Sequence, residues 1–210
     1  MNKKDIDYFS KTLYEMYPDA KTELEYTNDF QLIIAVLMSA QTTDKQVNKV
    51  NKIFFKELTS PEAWVKMWVS EIKNYINTIS FFNNKAVNIY KTCVILSEKK
   101  LETFDTLEKL TKLHWVWIKT AKVYLAVTQD APYLAVDTHV HRVLTRTWII
   151  KSKTPEETDK KAEKIFTTQN LRDLHHSLIL FWRYHCMATR KPKCKTCPFL
   201  EKCSYKDKNI

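Results

Sequence analysis

Apolar residues in this chain recur every three or four positions from one end to the other. Phe30, Ile33, Ile34, Leu37 and Met38 follow this spacing, and alternation of apolar and polar residues is scarce. An interval of three or four puts apolar side chains on one face of an α-helix, whereas a half-buried strand requires alternation. The sequence therefore predicts an all-α fold.

Three helix starts are marked by capping residues. They are residues 27–29 (TND), 60–62 (SPE) and 154–157 (TPEE). Ser, Thr and Asn side chains accept hydrogen bonds from the unpaired N–H groups of a first helical turn, and proline is tolerated there because it has no N–H. We expect a helix to begin at each of these segments.

The net charge is +10, because 34 Lys and Arg residues outnumber 24 Asp and Glu residues. Such a charge suits a polyanionic partner, but it is equally common on proteins whose lysines are simply solvated. The apolar runs are shorter than the ~18 residues of a membrane span, and the N-terminal segment MNKKDIDYF lacks the apolar stretch of a signal peptide. We expect a cytoplasmic protein without membrane contact.

Two short segments contain the candidates for catalysis. LHWVWIKTA (113–121) carries Lys119, and LAVDTHVHRV (134–143) carries Asp137, 18 positions further on. Taken singly, a Lys or an Asp is usually a solvated surface group. In this pairing the chain resembles the endonuclease III family, which has a helix-hairpin-helix LPGVGRKTA followed by VDTH at the same separation.

Three further segments, in the same order along the chain, resemble that family. They are LIIAVLMSAQTTDKQVNK (32–49), YINTISFFNNKAVNI (75–89) and HHSLILFWRYHC (175–186). The resemblance implies two helical lobes with double-stranded DNA in the cleft between them. One is a helical barrel lobe with the helix-hairpin-helix (22–131); the other is a discontinuous lobe (1–21 plus 132–210) ending in an iron–sulfur cluster loop.

The resemblance implies a monomeric DNA glycosylase and abasic-site lyase of base excision repair, associated with the nucleoid and acting on oxidised or ring-saturated pyrimidines. Lys119 and Asp137 would face each other across the cleft. A desolvated lysine supplies a neutral amine, so Lys119 would attack the sugar C1′ and form a Schiff base. Asp137 would stabilise the developing positive charge on the sugar. His139 would orient the carboxylate or contact phosphate, unless it only caps a helix.

Several residues are expected to contact the DNA. Because a damaged base must leave the stack to be reached, side chains have to fill the space it vacates. By position in the family pattern these are Gln41 and Phe81, although an aromatic residue at 81 could instead belong to the core. Trp115 and Trp117 occupy the hairpin turn that approaches phosphate.

Four of the five cysteines lie in the last quarter of the chain: Cys186, Cys194, Cys197 and Cys203. In a reducing compartment such a group indicates a metal site rather than disulfides. Four thiolates suit a structural zinc or a 4Fe-4S cluster, but zinc favours two close pairs and only one C-x-x-C is present.

The family resemblance favours a 4Fe-4S cluster in this segment, although the chain has one more residue than the family between the first two cysteines, near Thr189. The isolated Cys93 lies on an apolar helix face, as small buried residues do. Lys191, Lys193 and Lys195 lie in the cluster loop and are expected to meet DNA phosphates.

The chain contains no glycine, where average usage of about 7% would give roughly 15. A helix-hairpin-helix needs glycine for a positive φ and for close approach to phosphate. Against the family pattern, five of the six tryptophans stand at glycine positions. These are Trp68, Trp115, Trp117, Trp148 and Trp182.

We hypothesise that these five residues reflect one codon, UGA, translated as tryptophan but read as glycine in the source organism. UGG at these codons would contradict the hypothesis. Deliberate removal of glycine and an inactive, degenerate homologue are the alternatives, and the codon hypothesis leaves family glycines replaced by Ser80 or lysine unexplained.

Two other functions are compatible with parts of the pattern. An adenine glycosylase of the MutY type shares the hairpin, the aspartate and the cluster, but it lacks the lysine and carries an additional C-terminal domain. A catalytically impaired DNA-binding protein with a structural cluster is favoured by the altered hairpin. Lys119 and the short length argue against the first of these.

Overall fold

A computed structural model describes residues 2–167, 170–188 and 191–210. Within these ranges the chain forms eleven α-helices and two 3-10 turns and no β-strand, which confirms the predicted all-α fold. The helices are α1 (Lys3–Met16), α2 (Asp29–Ser39), α3 (Asp44–Glu57), α4 (Pro61–Val65), α5 (Val69–Ile76), α6 (Phe82–Glu98), α7 (Leu107–Leu110), α8 (Ile118–Gln129), α9 (Thr138–Arg146), α10 (Pro155–Ile165) and α11 (Leu171–Tyr184). The 3-10 turns are Leu101–Thr103 and Cys194–Thr196.

The three predicted helix starts are confirmed. Asn28, Ser60 and Thr154 are the N-cap residues of α2, α4 and α10, and each side chain accepts a hydrogen bond from the backbone N–H three residues ahead. Pro61 and Pro155 lie in the first turns of α4 and α10. Each cap satisfies one of the N–H groups that have no partner within the helix, typically worth ~1 kcal/mol.

The chain divides into two compact units. One is Glu23–Gln129, and the other combines Met1–Thr22 with Asp130–Ile210. The predicted lobes had boundaries at 21/22 and 131/132, and the roles assigned to them stay predictions. No helix formed by the described residues is both long and apolar enough to cross a membrane.

The unit Glu23–Gln129 is built around α2, whose residues Phe30 to Met38 are all buried. Helices α3, α6 and α8 pack against α2, and α4 and α5 pack against α6. Trp64 is fully buried, with its ring 4.2 Å from that of Phe54 between centroids. This Trp is the one that does not stand at a family glycine position, and it anchors the core.

The second unit packs α1 against α11 and α9 against both α10 and α11. Its core joins the first and last thirds of the chain, since Phe9 and Phe181 both contact Phe199, at ring-centroid distances of 4.9 and 5.5 Å. The core therefore fixes the C-terminal cysteine segment to the helices beside it.

Candidate catalytic residues and cysteine pocket

Lys119 is the second residue of α8, directly after a hairpin turn that links α7 to α8. Two backbone hydrogen bonds, Leu113 N–H to Leu110 O and Val116 N–H to Leu113 O, form the turn. Thr92 donates to His114 O at 3.0 Å and holds the turn to α6. Lys119 itself is exposed, so packing within the protein does not desolvate it as expected from the sequence.

The hairpin turn contains a left-handed tryptophan. Trp115 has φ 61°, a conformation that glycine adopts freely but in which a β-carbon costs ~1–2 kcal/mol. Trp117 does not have a positive φ, and its side chain is 69% exposed directly before α8. Only one of the two hairpin positions therefore needs glycine for its backbone, while the other places an indole where phosphate would approach a helix N-terminus.

Asp44 lies in the same unit as Lys119, as the first residue of α3. Burial raises the pKa of this carboxyl, and the positive charge of Lys119 opposes that shift. The two side chains are thus electrostatically coupled. The sequence analysis did not single out Asp44, although it belongs to the TD pair of the segment 32–49.

Asp137 is the N-cap residue of α9 in the second unit. Its Oδ1 accepts hydrogen bonds from the backbone N–H groups of His139 at 2.9 Å and Val140 at 2.7 Å. These donors and the positive end of the helix dipole stabilise the ionised carboxylate and fix its orientation. The backbone therefore contributes to the orientation of Asp137, and the role expected for the His139 side chain stays a prediction.

The His139 ring stacks on Trp182, with centroids 3.8 Å apart and planes 9° from parallel. Arg142 Nη1 lies 3.0 Å from His139 Nδ1.

Trp182 is inside α11, and like Trp68 it does not have a positive φ. Trp148, in contrast, has φ 55° and directly follows the C-cap of α9, a position that glycine usually fills. Two of the five tryptophans at family glycine positions therefore have a backbone that favours glycine.

Gln41 and Phe81 lie in two turns of the unit Glu23–Gln129, and both have φ 57°. Gln41 is exposed, and the Phe81 side chain is 60% exposed. Phe81 is thus not a core residue, which removes the alternative left open for it. Both side chains are available at the surface for contact with DNA.

Lys85 is a buried charge that the sequence analysis missed. It is 2% exposed, and burial lowers its pKa to about 8. A signal was present, because Lys85 lies on the same apolar stripe of α6 as Ile89 and Leu96. A lysine that shares the buried face of a helix needs hydrogen-bond acceptors from another part of the fold, but the sequence does not identify those acceptors.

The four C-terminal cysteines line one pocket of about 360 Å³, part of it open to solvent, in the second unit. All five cysteines of the chain are free thiols. Burial raises the pKa of Cys197 to about 11, and it also raises the pKa of Cys186, which Arg146 opposes from 3.6 Å. Metal binding requires thiolates, so loading this pocket would release protons.

Four cysteine thiols around one pocket suit either a single zinc ion or a four-iron cluster. Among the described residues, no group of three or more His, Cys, Asp or Glu side chains is arranged to hold one metal ion. Four thiolates on one zinc must all lie ~2.3 Å from it. A four-iron cluster takes one thiolate per iron, so its cysteines stand around a larger volume.

One buried polar atom beside the cysteines is consistent with a bound group in this pocket. His185 also lines the pocket, and its Nε2 atom is buried and has no hydrogen-bond partner. Lys193 lines the same pocket, while Lys191 and Lys195 are exposed beside it. The additional loop residue near Thr189 lies outside the described residues.

The family model and the similar proteins assign this chain to the same family. Residues 34–168 match the HhH-GPD superfamily of base excision DNA repair proteins. The chain is 42% identical to endonuclease III of Haemophilus influenzae and 40% identical to that of Escherichia coli, in each case over 210 residues and 99% of both chains. The resemblance predicted from the sequence is confirmed.

The solved structures agree with the sequence comparison. The chain is similar to an endonuclease III trapped as a covalent intermediate with DNA in an estranged-adenine complex, with a TM-score of 0.91 and 38% identity. The similarity covers 97% of this chain and 96% of that one.

Proposed function

Because this chain belongs to the endonuclease III family, within the HhH-GPD superfamily of base excision DNA repair proteins, we propose that it removes oxidised or ring-saturated pyrimidines from double-stranded DNA and cleaves the strand at the abasic site. One observation carries the proposal: nearly the whole chain is similar to an enzyme trapped in a covalent bond to DNA. Such a bond requires a nucleophile on the protein. Lys119, exposed just after the hairpin turn, supplies a suitable amine.

Lys119 acts as a neutral amine. As the glycosidic bond breaks, the base leaves with the bonding electrons and takes up a proton, and the nitrogen lone pair of Lys119 forms a bond to C1′. Opening of the sugar ring gives a Schiff base. β-Elimination then breaks the bond to the 3′ phosphate, and water hydrolyses the imine and regenerates the lysine.

Asp137 stabilises the positive charge that develops on the sugar and helps to deprotonate Lys119. Support comes from its fixed carboxylate, which two backbone N–H groups hold in place at the start of α9. Gln41 and Phe81 fill the space that the extruded base leaves, while His139 and Lys191 contribute further contacts to the DNA backbone. The +10 charge supports association of the monomer with nucleoid DNA.

The four C-terminal cysteines hold a 4Fe-4S cluster. Support comes from their shared pocket and from their thiol state. When bound, the cluster ties residues 186–203 together through four iron–thiolate bonds. Arg146 and His185 line the same pocket and would supply donors to a bound cluster.

Borohydride trapping on a duplex with one abasic site tests the catalytic proposal. We expect a covalent adduct with the unmodified chain and none with Lys119→Ala. Lys112→Ala is the matched control, because Lys112 is an exposed lysine of the same unit, and it should trap normally. Absence of any adduct in a folded, DNA-binding protein would favour the second candidate, an impaired DNA-binding protein, for which the tryptophans at 115 and 117 argue.

Iron and sulfide content after anaerobic purification test the cluster. About four atoms of each per chain are expected for a 4Fe-4S group. Cys197→Ser should lose iron, while Cys93→Ser, at a buried position in the other unit, should keep it. One zinc per chain and no sulfide would contradict the cluster assignment.

A further inference from the structure

Lys85 uses its three N–H donors on the turn between α2 and α3. Its Nζ donates to Met38 O at 2.8 Å, to Ala40 O at 2.6 Å and to Thr42 Oγ1 at 3.4 Å. Lys85 is 2% exposed, so its ammonium group is buried, while the acceptors at Ala40 and Thr42 lie nearer the surface. A buried ammonium whose donors all have acceptors is held in one orientation.

The acceptors of Lys85 surround Gln41. Met38 is the penultimate residue of α2, and Ala40 is its C-cap. The carbonyl groups at this end of the helix have no N–H partner within the helix, and the helix dipole favours a cation there. Between Ala40 and Thr42, Gln41 has φ 57°. A left-handed glutamine persists only where its surroundings enforce it, and Lys85 supplies that constraint from another helix.

The same turn is tied to the turn that carries Phe81. Thr42 Oγ1 accepts a hydrogen bond from Ser80 N–H at 3.1 Å, and Gln46 Nε2 donates to Thr78 Oγ1 at 2.7 Å. Phe81 is the N-cap residue of α6, the helix on which Lys85 lies one turn later, and Lys85 N–H donates to Phe81 O at 3.0 Å. Lys85 is therefore bonded to both turns, through its side chain and its backbone.

We propose that Lys85 is a positioning residue that locks the Gln41 and Phe81 turns to each other, so that the two exposed side chains enter the DNA as one preformed pair. This inference rests on the proposed function, in which Gln41 and Phe81 fill the vacated space. Lys85 acts through Gln41 and Phe81 and does not itself touch the DNA.

Lys85→Met tests the inference, because methionine has a similar length and no donor. The probe is a duplex with a tetrahydrofuran abasic analogue opposite 2-aminopurine, whose fluorescence rises when the base is unstacked. We expect Lys85→Met to weaken binding to this duplex about tenfold, as the loss of charged hydrogen bonds allows, and to reduce the fluorescence rise. Binding to the undamaged duplex should be unchanged.

Lys91→Met is the matched control, since Lys91 is an exposed lysine on the same helix. A double-mutant cycle shows whether Lys85 acts through Gln41. Because Lys85 also positions Phe81, Gln41→Ala/Lys85→Met should weaken lesion binding more than Gln41→Ala alone, but clearly less than the roughly hundredfold product of two tenfold effects. Independent, multiplying effects would overturn the inference, and so would an equal loss of binding to both duplexes.

Hydrogen exchange provides a second measurement that needs no DNA. Lys85→Met and the milder Thr42→Val should both speed exchange of the Thr42 and Ser80 amides, while core amides of α2 remain protected. Unchanged exchange at these two amides would refute the lock. Failure of the unmodified chain to form a borohydride adduct would instead refute the proposed function, so the two failures are distinguishable.

Discussion

Asp137 accepts a hydrogen bond on Oδ1 from the backbone N–H of Val140 at 2.7 Å, which makes the proposed catalytic carboxylate the N-cap of α9. One oxygen atom thus has a structural task in the free protein. Any substitution of Asp137 will affect both folding and chemistry unless the replacement preserves the cap.

Asp137→Asn separates the two tasks, because asparagine caps helices as well as aspartate does. We expect this variant to keep its stability within ~0.5 kcal/mol and to lose base excision by about 100-fold or more. Asp137→Ala should lose the activity and also ~1 kcal/mol of stability. Urea unfolding and single-turnover excision measure the two effects. Substantial activity in the asparagine variant would rule out the proposed role of the charge.

The left-handed backbone at Trp115 predicts a preference for glycine over alanine. Both Trp115→Gly and Trp115→Ala remove the indole, so their difference isolates the backbone, and the glycine variant should be more stable by about 1 kcal/mol. The same order is expected at Trp148. At Trp117, which lacks a positive φ, alanine should be as stable as glycine or more so. Chemical denaturation of the six variants tests the order, and equal ranking at all three positions would contradict it.

Removal of the exposed indole at Trp117 should strengthen DNA binding. The side chain is 69% exposed immediately before α8, where a phosphate would meet unpaired N–H groups. Trp117→Gly should lower the Kd for duplex DNA about fivefold, since a helix N-terminus favours an anion by up to ~1 kcal/mol. Trp68→Gly, at a position 78% exposed before α5, is the control. Equal affinities in fluorescence anisotropy would show that the indole does not obstruct DNA.

His176 makes stability depend on pH. Burial lowers its pKa from 6.5 to about 4, assisted by Arg172 and opposed by Asp173. Between pH 6.5 and 4 the unfolded chain therefore binds more protons than the folded one, so the folded state is fully stable with respect to His176 above pH 6.5 and loses stability as the pH falls to 4. The loss should approach about 3 kcal/mol. His176→Gln should flatten this part of the curve in urea unfolding at pH 4.5 and 7, and parallel curves would contradict the assignment.

Local features of the fold could be predicted from the sequence because they depend on neighbouring residues. The starts of α2, α4 and α10 follow from Asn28, Ser60 and Thr154, whose partners lie three positions ahead. The glycine positions of the family pattern include Trp115 and Trp148, whose backbone is left-handed, but they also include Trp68, Trp117 and Trp182, which do not have a positive φ.

Features that depend on distant partners could not be predicted. The hydrogen bonds of Lys85 reach Met38 and Ala40, 47 and 45 positions away. The stacking of His139 on Trp182 joins two helices far apart in the chain. The solvent exposure of Lys119 was also missed, because a motif gives the identity of a nucleophile and not its surroundings.

The two turns that hold Gln41 and Phe81 have a consequence for the speed of damage searching. Since Thr42, Ser80 and Lys85 already fix both turns in the free protein, no loop has to order each time a new site is sampled, and that entropy cost does not recur along the DNA. If Gln41 and Phe81 have the proposed role, the time spent at each base pair is set by how readily the DNA itself opens, so the protein should pause at weakly stacked, damaged pairs.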